Sequence, residues 1–191
     1  MGVLVRYADD LVILCGTEAK AQEALRRLGE VMEQLGLRLH PVKTRVVNLM
    51  EGQEGFDFLG FHHRRVKSRR RGRYYLLKWP RAKAMVAIRE KIRGIVGGRH
   101  WMNRSLKEVI QELNPVLRGW GNYFREGNSS EQFAAIDSYV RELLMLFLSK
   151  KHGKKGRGWS QRWKGTDFRQ AGLYRLSGTV RWHKRTANAG G

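Results

Sequence analysis

The chain has 191 residues, of which 41% are hydrophobic and 10% aromatic, and its formal net charge is +21. This composition excludes a disordered chain, and the single Cys15 excludes both an intramolecular disulfide and a cysteine-rich zinc site. The longest apolar run, Leu143–Leu148, is too short to span a bilayer, and no signal peptide is visible, so we expect a cytoplasmic protein. The charge predicts a polyanionic partner, and nucleic acid is favoured over an anionic membrane surface.

The first predicted element is a β-hairpin at the start of the chain. Apolar and β-branched residues in Val3–Arg6 and Leu11–Cys15 flank the turn Tyr7–Asp10, which places Asp9 and Asp10 side by side at its tip. Adjacent carboxylates repel each other unless a cation lies between them, and Mg²⁺ is the ion that phosphoryl transfer most often uses. Asp9 and Asp10 are therefore the candidate catalytic and metal-binding residues. The alternative is an ordinary turn with local Asp hydrogen bonds.

Residues 16–80 predict one helix and several strands. Gly16–Thr17 suits a turn and a helix N-cap, and Gly36 suits the helix end. Apolar residues recur between them every three or four positions, a pattern typical of a core-packing face. The members of this stripe are Ala21, Leu25, Leu28, Met32 and Leu35. Further strands are predicted over 45–50, from 56 to 61 and on both sides of the basic loop 66–73. This order predicts an α+β fold with a sheet domain over residues 1–80.

The second half of the sequence predicts a helical domain over residues 81–152. A first apolar stripe ends before Gly97, and Ser105–Glu108 and Ser129–Gln132 both match a capping box. Asn114–Pro115 predicts a break or a restart of the second helix, because Pro is favoured at the first helical position after an Asn cap. Three amphipathic helices make a small bundle. Residues 153–191 lose the pattern and predict a basic, flexible tail.

Basic residues are concentrated in two surfaces, the loop between the predicted strands and the tail, and two arginines flank the aromatic residues of the second helix. A run of charge is usually just solvated, but here acids are nearly absent, which favours RNA phosphates as the partner. The candidate RNA-binding residues are Arg64, Arg65, Lys67, Arg69, Arg70, Arg71, Arg73, Arg118, Arg125, Lys150, Lys151, Lys154 and Lys155.

Several separate motifs, in the same order, resemble the C-terminal portion of a group II intron reverse transcriptase, or maturase. Tyr7–Asp10 resembles the catalytic turn, and His40–Thr44 resembles the palm motif that follows it. Phe58–Phe61 resembles the primer-grip strand. The most specific motif, Leu113–Phe124, resembles the signature of the maturase thumb, and Ile136–Arg141 fits the next helix.

The resemblance implies part of a reverse-transcriptase palm, followed by an α-helical thumb bundle. It also implies a two-metal Mg²⁺ site with Asp9 as a shared ligand and Asp10 as a weaker one. Three further groups of residues would contact the nucleotide or the primer. Tyr7 and Ala8 would border the incoming nucleotide and the primer end, Lys43 would contact the triphosphate, and Phe58, Leu59 and Gly60 would face the primer. The implied partners are group II intron RNA and an RNA/DNA primer-template.

The sequence departs from the family in lacking the fingers, the first half of the palm and the upstream carboxylate that joins Asp9. We therefore expect the chain to begin within an active site, with an N-terminal half supplied by a longer reading frame or a second polypeptide. Two functions stay open. One is a piece of an RNA-directed DNA polymerase, and the alternative is an RNA-binding maturase module without polymerase activity of its own.

Overall fold

The computed structural model describes residues 2–97, 103–153 and 165–181, and it divides into two units, of which unit 1 ends at Leu77 and unit 2 begins at Lys78. Antiparallel sheets and helices confirm the predicted α+β class. The strands and the helix that begin in unit 1 are β1 (Val3–Tyr7), β2 (Asp10–Leu14), α1 (Glu18–Gln34), β3 (Gly55–Phe58), β4 (Phe61–Lys67) and β5 (Tyr74–Pro80).

The predicted N-terminal hairpin is present as an antiparallel β1–β2 pair. Its register runs from Val3 opposite Leu14 to Tyr7 opposite Asp10, so the connecting loop is only two residues long. The remaining strands form a second sheet in the order β3-β4-β5. The β1–β2 hairpin and the β3–β4 hairpin are both joined by two-residue turns.

Helix α1 begins where the sequence predicts, but its apolar stripe is not buried. The Thr17 side chain accepts a hydrogen bond from the Lys20 backbone N–H at 3.3 Å, and Gly36 has a φ of 68°, which suits the helix end. None of the residues of α1 is buried, and Leu35 just after it is 66% exposed. The other four residues of the stripe are half-buried and α1 contacts β2, so the stripe faces the protein without forming a fully buried core.

The predicted strand over residues 45–50 is absent, and residues 37–54 contain no helix or strand. Local side-chain bonds occupy the backbone here. The Asn48 N–H donates to Glu54 Oε2 at 3.1 Å, and the Met50 N–H donates to Asn48 Oδ1 at 2.9 Å. Such bonds compete with strand pairing, and in the described residues no neighbouring strand is available to this segment.

Unit 2 contains the predicted three-helix bundle, α2 (Ala82–Val96), α3 (Leu106–Phe124) and α4 (Ser130–Lys151). Its core includes side chains below 2% exposure from each helix, among them Ile92, Leu113 and Phe133. The Ser105–Glu108 capping box is confirmed. At Ser129 the capping box is wrong, because the hydroxyl donates to the Phe124 carbonyl at 2.8 Å instead of capping α4.

Helix α3 is continuous through Pro115, so the predicted break is wrong. The Asn114 side chain does not cap a new helix. Its Nδ2 donates to the Gly172 carbonyl at 2.9 Å, and its Oδ1 accepts from the Tyr174 N–H at 2.8 Å. Asn114 thus holds a distant segment, and α3 tolerates the missing Pro115 N–H within the bundle.

Residues 168–181, which we call the strap, correct the expected flexible tail in this region. The strap begins within the short helix Gly165–Gln170 and inserts Phe168 and Leu176, both at most 1% exposed, into the core of unit 2. The Asp137 carboxylate accepts hydrogen bonds from the N–H groups of Leu176 and Ser177 at 2.9 and 2.8 Å. Two apolar anchors and paired polar groups therefore hold this segment against the helices of unit 2.

In the described part of the chain, no helix has both the length and the apolar character needed to cross a membrane.

Candidate catalytic turn and nucleic-acid interface

The two candidate catalytic carboxylates lie at the tip of the β1–β2 hairpin. Ala8 and Asp9 form the two-residue loop, and Asp10 begins β2 opposite Tyr7. Ala8 has a φ of 52°, and the Arg6 side chain donates to its carbonyl at 2.9 Å. Asp9 and Asp10 are exposed, and neither carboxylate has a hydrogen bond or ion pair with another described residue. The turn thus presents two unengaged anionic groups next to each other.

These carboxylates suit a divalent cation by donor type but do not make a complete site. Carboxylate oxygens are the ligands that Mg²⁺ prefers, and Mg²⁺ is usually held by one or two of them together with water and phosphate. In the part of the chain that the structure describes, no group of three or more His, Cys, Asp or Glu residues could hold a metal ion. Two neighbouring acids alone therefore do not complete a metal-binding site.

The segment that resembles the primer grip forms a second tight turn. Leu59 and Gly60 connect β3 to β4 with φ angles of 47° and 77°. Two positive φ values are what a type I′ hairpin turn requires, and Leu rarely adopts one. Phe58 pairs with the buried Phe61 in the register of this hairpin. The predicted primer-facing residues therefore lie together at the end of the β3–β4 hairpin, and their contact with a primer stays a prediction.

Lys43 lies in a separate turn, where its N–H donates to the His40 carbonyl at 3.1 Å. The residue is exposed, and no hydrogen bond or ion pair joins it to Asp9 or Asp10. The structure therefore does not bring Lys43 into contact with the carboxylate turn, and its triphosphate contact stays a prediction.

The basic loop is the connection between β4 and β5, and its backbone is ordered around Ser68. The Ser68 carbonyl accepts from the Gly72 N–H, and the Ser68 N–H donates to the Arg73 carbonyl, both at 2.8 Å. Four arginines of this loop are exposed and have no side-chain partner among the described residues. They are Arg69, Arg70, Arg71 and Arg73. A fixed backbone with free guanidinium groups favours contacts to a charged partner.

The basic residues of strand β4 are engaged with the protein itself. Arg64 Nε donates to the Gly52 carbonyl at 2.7 Å. The Arg65 guanidinium and the Lys67 ammonium lie 5.4 and 5.9 Å from the centre of the Tyr74 ring. Such cation–π contacts leave the charge in place while orienting the side chain. Arg65 and Lys67, which share one face of β4, are therefore positioned beside the loop, whereas Arg64 lies on the other face.

In unit 2 the candidate cations have different surroundings. The Arg118 guanidinium is exposed and lies 4.7 Å from the centre of the Tyr174 ring. Arg125 is only partly exposed, with its Nε 3.6 Å from Glu126 Oε1. Lys150 is exposed, whereas the Lys151 ammonium donates to the Arg104 carbonyl. Arg118 and Lys150 are thus the more accessible of the four. Lys154 and Lys155 lie outside the described residues.

The sequence interpretation missed the residues that assemble the strap and its surroundings. Asn114 and Asp137 are polar positions on helices α3 and α4, and both bond the strap rather than solvent. Arg141, Arg169 and Arg175 line a pocket beside Asp137. The available signal was the presence of polar residues beside apolar stripes, but a sequence does not show which segment such residues will bond.

Two family models match separate parts of the chain. The model described as "Reverse transcriptase (RNA-dependent DNA polymerase)" matches residues 2–63, and the model described as "Group II intron, maturase-specific domain" matches residues 85–165. The first match contains the carboxylate turn and the Leu59–Gly60 turn. The second contains helices α3 and α4 and most of α2.

A curated protein of Schizosaccharomyces pombe, an "Uncharacterized 91 kDa protein in cob intron", is 25% identical to the chain over 154 residues. The alignment covers 71% of the chain but only 18% of that protein. The chain therefore corresponds to a small part of this relative's length. These findings point to the same family. A reverse-transcriptase match that contains the carboxylate turn is followed by a maturase-specific match, and the curated relative is named as an intron protein. The chain belongs to the family of group II intron reverse transcriptases, or maturases.

Proposed function

We propose that the chain carries one wall of a Mg²⁺-dependent nucleotidyl-transfer centre and binds group II intron RNA. The observation that carries this proposal is the unengaged Asp9–Asp10 pair, where Asp9 ends the two-residue turn and Asp10 begins β2, within the segment that matches reverse transcriptases. A divalent ion there would steady negative charge on a nucleotide triphosphate. The protein contributes the position of the carboxylates, because the short hairpin loop fixes their backbone.

Asp9 and Asp10 would supply only some of the ligands that such a centre needs. The described residues offer no third acid near the turn, and the apolar residues of β1 that flank it are exposed, with Val3 at 65% and Leu4 at 58%. Exposed apolar surface next to a reactive turn favours coverage by further polypeptide or by nucleic acid. We therefore expect DNA synthesis only when a second polypeptide supplies another metal-binding Asp.

A primer-extension experiment tests the catalytic half of the proposal. The 191-residue polypeptide, Mg²⁺, deoxynucleotides and an RNA template with a DNA primer should give no product. Adding a purified fingers-and-palm segment of a group II intron reverse transcriptase should restore synthesis, and Asp9→Asn should abolish the restored activity. Robust extension by the polypeptide alone would contradict the proposal, as would restored activity that survives Asp9→Asn.

A second candidate function, an RNA-binding maturase module, is favoured by the distribution of burial. Phe61 is the only buried apolar side chain among residues 2–77, and the other buried apolar side chains of the described residues belong to unit 2. Unit 2 thus has its own core, as a separately acting binding module would need. Binding of folded intron RNA that is unchanged by Asp9→Asn, without any restored synthesis, would favour this function over the first.

A further inference from the structure

Unit 2 contains a small basic pocket that the family match covers only in part. The pocket has a volume of about 210 Å³ and lies between helix α4 and the strap. The residues that matter for its chemistry are Asp137 and Arg141 of α4 and Arg169, Tyr174 and Arg175 beside them. The last three lie beyond residue 165, where the maturase-domain match ends.

The charge of this pocket is not balanced by the residues around it. The Arg141 and Arg169 side chains are exposed, and neither has a hydrogen bond or ion pair with another described residue. Asp137 is the only acid among the described lining residues, and the strap already engages it. Its carboxylate accepts from the Leu176 and Ser177 N–H groups and from the Ser177 hydroxyl at 2.5 Å. Arg175 lies 3.9 Å from the same carboxylate. The pocket therefore carries excess positive charge, which an anion would neutralise.

The walls of the pocket are held in place before any ligand arrives. Asn114 bonds the strap at Gly172 and Tyr174, and Asp137 bonds it two residues later. Phe168 and Leu176 anchor the strap in the core on both sides of these bonds. Because the strap backbone is already fixed, a ligand would need to order only the exposed arginine side chains of the pocket.

An aromatic ring adjoins the basic residues. The Tyr174 side chain is half-exposed and lines the pocket, and the Arg118 guanidinium lies 4.7 Å from its ring centre. Arginine and aromatic planes are the surfaces on which unpaired nucleobases stack. At about 210 Å³ the pocket is below the size of sites for drug-sized ligands, so it suits one phosphate group rather than a whole cofactor.

We propose that Arg141, Arg169 and Arg175 bind one phosphate of single-stranded RNA while the adjoining base stacks beside Tyr174. This inference rests on the proposed RNA binding and deepens it by assigning a nucleotide-sized site to the strap. A double-stranded RNA satisfies the phosphate contact but keeps its bases paired, so it cannot use the aromatic ring. The site therefore selects unpaired segments of a folded RNA.

The first experiment compares two double variants of the full chain by fluorescence anisotropy with a labelled oligouridylate. Arg141→Ala/Arg169→Ala removes two pocket cations, and Lys83→Ala/Lys107→Ala removes the same charge from other exposed positions of unit 2. The pocket variant should bind about tenfold more weakly than the control variant. The plot of log affinity against log salt has a negative slope, and the magnitude of this slope should be smaller by about 0.7 for each phosphate that the variant no longer neutralises. Equal thermal unfolding of both variants would show that the fold is intact.

The second experiment separates stacking from charge and identifies the class of ligand. Tyr174→Ala should weaken oligouridylate binding about fivefold or more, whereas Tyr174→Phe should retain it because the ring is kept. A duplex RNA of the same length should not distinguish Tyr174→Ala from wild type. Inorganic phosphate and hexaglutamate serve as competitors, and neither should displace the oligonucleotide at equal charge concentration. Displacement by phosphate alone would assign a simple anion site, and displacement by hexaglutamate would assign an acidic protein partner; either result would overturn the proposal.

The outcomes separate this inference from the proposed function. If the full chain binds RNA and the pocket variant matches the lysine control, the pocket assignment is wrong while RNA binding by the chain stands. If the full chain binds neither oligouridylate nor folded intron RNA, the proposed RNA-binding function itself fails.

Discussion

Two residues of unit 1, Ala8 and Leu59, have positive φ angles although neither is glycine. Their φ values are 52° and 47°, and no other non-glycine residue in the described ranges has a positive φ. Both lie in two-residue hairpin turns, and both are candidate site residues from the sequence. Backbone strain of this kind costs about 1–3 kcal/mol and tends to occur at functional sites. The sequence predicted the turn at Tyr7–Asp10 but a strand through Leu59, and it did not predict the strain at either residue, because glycine or asparagine is the usual signal for such a conformation.

Glu108 of the capping box gives a pH-dependent prediction at the residue scale. Hydrogen bonds from the Ser105 N–H and hydroxyl hold the pKa of this carboxyl below 4.5. A carboxyl whose pKa is lower in the folded state than in the unfolded state stabilises the protein when the pH is above the ordinary pKa. This stabilisation is lost as the pH falls through the lowered pKa. Ser105→Ala removes the hydroxyl that caps the helix and should lower the free energy of unfolding by about 1 kcal/mol near neutral pH. The part of this effect that depends on the charged Glu108 carboxylate should be lost as the pH falls through its lowered pKa.

Urea unfolding of the full chain, followed by far-ultraviolet circular dichroism at several pH values, measures this effect. Lys107→Ala, on the same first turn but outside the capping box, is the control and should show no comparable pH dependence. A destabilisation by Ser105→Ala that is constant across the pH range would contradict the role assigned to the Glu108 carboxylate.

At the scale of elements, the helices of unit 2 could be predicted and the strap could not. Helix starts depend on residues a few positions apart, so Ser105 and Glu108 identify the start of α3 from sequence alone. The strap depends on pairing between Asn114 and Tyr174 and between Asp137 and Leu176, residues that are distant along the chain. The prediction of a strand over 45–50 was wrong for the same reason, because a strand needs a pairing partner and the sequence of the segment does not show whether one is present.

Two glycines of α3 allow a matched test of the strap. A Cβ added to Gly121 would lie 2.5 Å from Cδ2 of the fully buried Leu176, whereas one added to Gly119 would have nothing within 4 Å. Both substitutions gain about 1 kcal/mol of helix propensity. Gly121→Ala should nevertheless be destabilising by about 1–3 kcal/mol relative to Gly119→Ala, because the strap must shift.

Hydrogen exchange reports where this destabilisation acts. In Gly121→Ala the amides of residues 172–179 should exchange faster than in wild type, while Gly119→Ala leaves them unchanged. Equal strap protection in the two variants would show that the contact between Gly121 and Leu176 does not hold the strap.

At the scale of the whole molecule, the two units differ in how much apolar surface they bury. Unit 2 has a core of three helices and the strap, whereas unit 1 leaves Val3, Leu4 and Val5 of β1 exposed and has no fully buried residue in α1. Composition predicted a folded protein from its hydrophobic content and a nucleic-acid partner from its net charge of +21. It could not predict the unequal burial, because hydrophobic periodicity shows that a face is apolar but not whether anything covers it.

This asymmetry predicts unequal local stability. Amides of α1 and of the β1–β2 hairpin should exchange about a hundredfold or more faster than those in the centres of α3 and α4, because few buried contacts oppose local opening in unit 1. Native-state hydrogen exchange of the full chain, without RNA, measures both regions in one experiment. Equal protection of the two regions would contradict the unequal burial of the two units.

The central claim is that Asp9 and Asp10 are the ligands of a nucleotidyl-transfer cation. Paramagnetic broadening of backbone amide signals by Mn²⁺, which replaces Mg²⁺ at oxygen sites, tests it most directly in the 191-residue chain. The account predicts that low Mn²⁺ concentrations, with a deoxynucleotide present, broaden the signals of residues 7–11 before those near the exposed Glu51 and Glu54. Asp9→Asn/Asp10→Asn should remove this selectivity. Broadening at the turn that is no stronger than at Glu51 and Glu54, or that survives the double substitution, would contradict the claim.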